Sequence, residues 1–290
     1  MTTVKAFIKR YSVLTYFALT FAISWSGVLI LGMPLGMPTT SEQFEKLWPI
    51  VFLPYFLGPS IASLLLIGLV YGKAGFHELL SRLRRWRVGV RWYAVALLIA
   101  PLLAMVILFV LSRVSSVFLS SILTTDDRVS LMLSGIAAGL IFGGLMEELG
   151  WTGFVVPEMR RRYGVLTTGL ILGVLWGAWH FLPTFWGSGN ASGALDLPRF
   201  LPGLFFHYAG LSAFRVLMVW VYDHTESLLV AIFMHASLTA SALFILAPSV
   251  EGVPLFTYYL ILATALWVVV AVIAVTNGGQ RDRHGYRWDA

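Results

Sequence analysis

The stretch Leu131-Met-Leu-Ser-Gly-Ile-Ala-Ala-Gly-Leu-Ile-Phe-Gly-Gly-Leu-Met-Glu-Glu-Leu-Gly-Trp151 decides the fold. It is as long as the roughly 20 residues that a helix needs to cross a bilayer core, and it is apolar except for two adjacent carboxylates, Glu147 and Glu148. An ionisable side chain at membrane depth costs about 2.5–3.5 kcal/mol on insertion scales, so such a residue marks a functional site by default. Two in a row are hard to explain without a task.

The rest of the chain agrees with a membrane setting. Its 290 residues are 58% hydrophobic and 12% charged, with a mean hydropathy of +0.82, whereas soluble domains carry about a quarter charged residues. Disorder is excluded by that composition. The absence of cysteine excludes a disulfide scaffold, thiolate nucleophiles and Cys-ligated metal. A pI near 9.7 in so apolar a chain reflects loop charge asymmetry rather than a nucleic-acid surface.

Eight stretches are long and apolar enough to span: 12–34, 48–71, 92–112, 130–158, 164–185, 200–222, 227–247 and 256–275. The expected fold is all-α, one polytopic membrane domain over 1–275 followed by a polar tail over 276–290. Lys5, Lys9 and Arg10 precede the first run as in a signal peptide. That run is too long for a signal h-region and no small-residue cleavage site follows it, so it reads as a retained anchor. Arginine and lysine crowd into residues 5–10, 73–91, 160–162 and 281–287, leaving only Lys46, Arg113, Arg128 and Arg199 on the other side. The positive-inside rule then predicts both termini in the cytoplasm of a multi-pass protein of the cell (inner or plasma) membrane. The loop Tyr222–Glu226, which has no Lys or Arg, is the weak point. Within the segment 72–91, Phe76, Leu79, Leu80 and Leu83 make an apolar face among arginines, a pattern suited to an anionic leaflet surface or to a solvated basic connector.

The glycines predict which way the polar residues face. Gly135, Gly139 and Gly143 form one small-xxx-small stripe and Gly169, Gly173 and Gly177 another, on consecutive antiparallel helices whose stripes are expected to meet. Glu147 continues the first stripe and His180 lies beside the second. At about 1.5 Å per residue they lie roughly 22 Å and 27 Å from the shared turn, which brings them level near mid-membrane, while His235 is roughly 16 Å into its own helix. Glu148 is rotated about 100° away and serves Glu147 from behind or faces another helix. His207 reads as an interhelical histidine satisfied by a neighbour, and Arg215 as a snorkelling cation. His224, Asp223 and Glu226 read as a solvated loop, and Trp176 and Trp179 as packing aromatics.

A carboxylate and two histidines in a dry cavity allow two chemistries. Glu147 can act as a general base on water while His235 or His180 stabilises an oxyanion. Alternatively His180, His235 and a glutamate, Glu147 in the set favoured here, can bind Zn2+ with an open position for water. Either hydrolyses a peptide or amide bond within a membrane.

Three motifs are familiar in kind: Met146-Glu-Glu-Leu-Gly-Trp-Thr-Gly-Phe154, Leu175-Trp-Gly-Ala-Trp-His-Phe-Leu-Pro183 and Ile232-Phe-Met-His-Ala-Ser-Leu-Thr239. They resemble the motifs of the CPBP intramembrane proteases, the CAAX-processing and bacteriocin-processing (Abi) family. The resemblance covers about half the chain, in the spans 130–158, 164–185 and 227–247. It implies an eight-helix fold, a cavity open toward the cytoplasm and endopeptidase action on a peptide or protein substrate at the membrane. It also implies that Glu147 and His180 activate water while His235 and Thr239 stabilise the oxyanion, with Glu148 in the same catalytic group. Two positions depart from the family pattern: Thr152 where an Arg is usual, and Thr239 where an Asn is usual. Without that Arg, Glu148 is expected to be protonated or to borrow a cation such as Arg215. The alternative function is a non-proteolytic scaffold or a bacteriocin self-immunity protein. A transporter would show inverted repeats between the two halves, and none is visible.

Overall fold

The computed structural model describes residues 3–276, so the expected tail lies, apart from Thr276, outside the described residues, together with its arginines. Eight helices are long and apolar enough to cross a membrane. In chain order the elements are α1 (Ser12–Leu35), α2 (Ser41–Val70), the shorter α3 (Gly72–Leu83), α4 (Val90–Val114), α5 (Arg128–Arg160), α6 (Val165–Trp186), α7 (Leu197–Thr225), α8 (Leu228–Ile245) and α9 (Gly252–Thr276). The described residues contain no strand, only the isolated bridges Ser120–Pro248 and Gly189–Leu195.

Proline and serine tie the front helices together. Pro59 inside α2 has no N–H to give the carbonyl four residues back, and that carbonyl, on Tyr55, accepts from the Ser24 hydroxyl of α1 at 2.7 Å. Helix α6 repeats the device. Pro183 frees the carbonyl of Trp179, which accepts from Trp25 Nε1 at 3.0 Å and Tyr55 Oη at 3.3 Å. The helix breaks at His180, so the imidazole is carried on a turn whose carbonyls are already satisfied.

The two glycine stripes do not meet. Gly135, Gly139 and Gly143 press against α8, where a Cβ on Gly139 would lie 2.6 Å from the Ala236 carbonyl oxygen. Gly169, Gly173 and Gly177 press against α7, where a Cβ on Gly173 would lie 2.6 Å from Ser212 Cα. A small-residue stripe encodes the close approach of a helix without saying which one. Trp151 of α5 and Trp179 of α6, with ring centroids 5.7 Å apart, fill the space between the chain neighbours instead.

The two ends of the bundle are built differently. At one end Ser12 and Tyr71 both donate to Glu158, Arg160 grips Asp223 through two bonds of 2.7 and 2.9 Å, and Arg85 pairs with Glu226. Arg82 of α3 is buried and donates to the Gly153 carbonyl and Tyr222 Oη. The loop 222–226 thus takes its cations from the segments 82–85 and 160–162. Asp223 is buried rather than solvated, and α3 is docked through Leu79 and Arg82 while Phe76 and Leu80 remain exposed. At the opposite end the loops are linked by Thr39 N–H to Trp186 O, Ser121 N–H to Ala247 O and the Arg199–Glu251 pair.

Candidate active site

The site is assembled where two helices leave α geometry. Residues Gly139–Glu147 and Trp151–Val155 of α5 and Leu238–Ile245 of α8 are π-helical. Such turns bond i to i+5, widen the helix and re-aim side chains, and they recur at functional sites. Glycines at 139, 143 and 144 let α8 approach this widened stretch closely.

Glu147 points inward. Its Oε2 accepts from Trp176 Nε1 at 2.7 Å and from Trp151 Nε1 at 3.1 Å, and the residue lines the cavity. Trp176 is more than packing: its carbonyl also accepts from His180 Nδ1 at 2.9 Å. One residue therefore orients both members of the expected water-activating pair. Because that bond requires hydrogen on Nδ1, it leaves a lone pair on His180 Nε2 when the ring is neutral.

Glu148 turns the other way, as its 100° offset predicts, and does not line the cavity. Arg215 Nη1 and Nη2 bind its two oxygens at 2.9 Å each, His235 Nδ1 donates to Oε1 at 2.7 Å, and the Thr152 hydroxyl donates to Oε2. Arg215 and Glu148 are both 0% exposed. Arg215 does not snorkel; it is the borrowed cation, supplied from α7 where the motif's usual Arg on α5 is replaced by Thr152. Its guanidinium also lies 4.0 Å over the Trp176 ring, a cation–π contact in a desolvated setting.

His235 is thereby fixed with Nε2 directed at α5. A Cβ placed on Gly143 would be 3.0 Å from His235 Nε2 and 2.7 Å from Thr239 Oγ1. The hollow above Gly143 is bordered by both groups. Thr239, like Glu147, His180 and His235, lines a cavity of about 460 Å³ whose remaining wall is mostly aromatic and aliphatic. His207 belongs to the same wall. Its ring stacks on His180 at 4.6 Å and its Nδ1 lies 3.3 Å from Thr184 Oγ1. The sequence reading of His207 as an interhelical histidine satisfied by a neighbour agrees with its Thr184 contact but did not place it in the cavity wall.

Glu147, His180, His235 and Thr239 are thus brought to one cavity, with Glu148 behind His235. The ligand set expected from the sequence is not assembled: among the described residues no three His, Asp or Glu side chains form a group able to hold a metal ion. Glu147 and His180 share Trp176 rather than a direct bond.

Residues 128–241, which carry this site, match the family described as Type II CAAX prenyl endopeptidase Rce1-like. A "CAAX prenyl protease 2" from Methanococcus maripaludis is 23% identical over 235 residues, covering 78% of this chain and 82% of that protein. This chain, by those two likenesses, resembles proteases of the CPBP/CAAX type. It is a membrane-embedded endopeptidase, a hydrolase of peptide bonds acting on a peptide or protein at the membrane, and the scaffold alternative is not favoured. It retains the glutamate and both histidines of the motifs, with Thr152 and Thr239 as its two departures.

Proposed function

We propose that this protease hydrolyses its substrate with a water held between Glu147 and His180. Glu147 takes one proton as the hydroxide forms a bond to the scissile carbonyl carbon. The resulting oxyanion lies over Gly143, accepts a hydrogen bond from the Thr239 hydroxyl and faces His235 Nε2. Glu147 then returns the proton to the departing amine as the C–N bond breaks. Glu148 positions His235 through Nδ1, and Arg215 holds Glu148 in place through two hydrogen bonds. Nothing in this sequence passes through a metal.

The observation that carries the proposal is the convergence of four motif side chains on one cavity. The Glu147 carboxylate and His180, whose Nε2 carries a lone pair when the ring is neutral, line it together with His235 and Thr239, which border the glycine hollow. A hydrolytic site needs acceptors for the nucleophile and donors for the oxyanion. The aromatic wall, including Phe52, Phe56 and Phe142, suits an apolar segment of the substrate. The test is Glu147→Gln, which keeps the size of the side chain and one oxygen acceptor. Cleavage of a membrane-tethered reporter peptide is expected to fall about 10²–10⁴-fold with the melting transition unchanged. A variant that still cleaves at the wild-type rate would refute the assignment.

A further inference from the structure

A second cavity, of about 650 Å³, lies where α1 and α6 begin, and it shares no residue with the cavity of Glu147. Its charged part holds four cations, Lys9, Arg10, Arg161 and Arg162, against one carboxylate, Glu158. That carboxylate is already engaged. Ser12 Oγ donates to it at 2.8 Å, Tyr71 Oη at 2.7 Å and Arg161 Nη1 at 3.5 Å. Lys9, Arg10 and Arg162 are exposed and pair with no carboxylate among the described residues. The backbone beneath them is fixed. Ser12 and Tyr71 tie the start of α1 and the end of α2 to α5 through Glu158. Arg160, held by Asp223, donates to the Tyr163 carbonyl at 2.6 Å and so sets the turn that carries Arg161 and Arg162. An anion bound here meets cations on a preformed frame, which reduces the ordering cost of binding.

Beyond the cations the wall turns apolar. Leu14 and Phe17 of α1 and Ile171 and Leu175 of α6 line it, and Leu14 and Ile171 are exposed although nothing polar accompanies them. Leu175 lies about 15 Å along α6 from Val165, at about 1.5 Å per residue. The cavity therefore reaches about half-way through a ~30 Å hydrocarbon core, the depth of one leaflet. Tyr11 and Tyr163 line its charged end, and such rings settle at the level where headgroups meet chains. A charged mouth over an apolar trough one leaflet deep fits an amphiphile. A soluble anion would leave the trough unused, and an uncharged lipid would leave the cations without a partner.

We propose that this cavity binds one anionic phospholipid, with its phosphate among Lys9, Arg10 and Arg162 and an acyl chain along the trough between α1 and α6. Basic pockets between membrane helices recognise anionic headgroups, and guanidinium groups match phosphate oxygens in geometry as well as charge. Arg84 and Arg87 provide the contrast. They are exposed on the connector after α3 and line no part of this cavity, so they carry the general attraction of a basic surface without the trough.

The test titrates the purified full chain in detergent with phosphatidylglycerol or with phosphatidylcholine of the same acyl chains, and counts bound lipid by native mass spectrometry. One phosphatidylglycerol is expected to be held at least about tenfold more tightly than phosphatidylcholine, at roughly fivefold per basic residue engaged. Arg10→Gln combined with Arg162→Gln should weaken it about thirtyfold by the same measure, while Arg84→Gln combined with Arg87→Gln should leave it unchanged. Millimolar inorganic phosphate should not displace the lipid. Equal retention of the two lipids, or an equal loss in both double variants, would overturn the proposal. Displacement by inorganic phosphate would overturn it too, because the site would then take a free anion. The substituted arginines are exposed, and an unchanged melting transition without lipid shows that each variant is folded. No readout depends on turnover, so the result stands apart from that of Glu147→Gln.

Discussion

Arg215→Met is the most searching single change, because it removes the cation that the motif's own helix does not supply. Arg215 donates two bonds of 2.9 Å to Glu148 and neither side chain is exposed. Cutting one partner from a buried ion pair strands the other charge and typically costs about 3–5 kcal/mol, a large fraction of the roughly 5–15 kcal/mol that holds a domain folded. Glu148 would keep only His235 and Thr152. The expected loss is therefore about 3–5 kcal/mol, read as the free energy of unfolding in detergent. Glu148→Gln alone should also destabilise, and the double variant should lose at least ~1.5 kcal/mol less than the sum of the two, the coupling expected of a charged hydrogen-bonded pair. Adding Thr152→Arg to Arg215→Met returns a cation four residues from Glu148 on the same helix and should recover part of the loss. If Arg215→Met costs less than ~1 kcal/mol and the two single effects simply add, the borrowed-cation account is wrong.

Other changes probe the cavity directly. Thr239→Val removes one oxyanion donor while keeping the shape, and kcat should drop about 10²-fold or more with KM little changed; an unaltered kcat removes Thr239 from the chemistry. Gly143→Ala puts a methyl group 2.7 Å from Thr239 Oγ1 and 3.0 Å from His235 Nε2, so activity should vanish while stability falls by only about 1–3 kcal/mol; reporter cleavage and denaturation in parallel check the separation. Trp176→Phe deletes the indole donor to Glu147 but leaves the carbonyl that holds His180. Its kcat should fall about tenfold, in line with one buried hydrogen bond of roughly 1–1.5 kcal/mol.

Sequence reasoning located the spans because twenty-odd apolar residues can do little else in water or lipid, and it found Glu147, His180 and His235 because charge in hydrocarbon is costly. Arg215 itself reads as a snorkelling cation; only the departure from the family pattern at Thr152 names it as one that Glu148 could borrow. What it could not supply was pairing between helices. Gly169 and Gly139 advertise a close neighbour without identifying it, and chain proximity suggested the wrong one. The π segments at Gly139–Glu147 and Leu238–Ile245 also leave no periodic mark, because a short widened stretch disappears in a uniformly apolar run. Trp176 read as packing because an indole is amphipathic: its ring fills space while its N–H, invisible to a hydropathy pattern, holds the glutamate. Asp223 read as solvated because its partner Arg160 is distant in the chain.

Helix α8 is the shortest of the eight spans at 18 residues, and it borders the cavity with Leu243 and Phe244. At about 1.5 Å per residue it reaches roughly 27 Å, under the ~30 Å hydrocarbon thickness of an ordinary bilayer. Lipids beside it must compress to meet its end, so the bilayer is pinched where α8 stops. Turnover in reconstituted vesicles should therefore depend on acyl-chain length, faster in thin membranes and slower in thick ones.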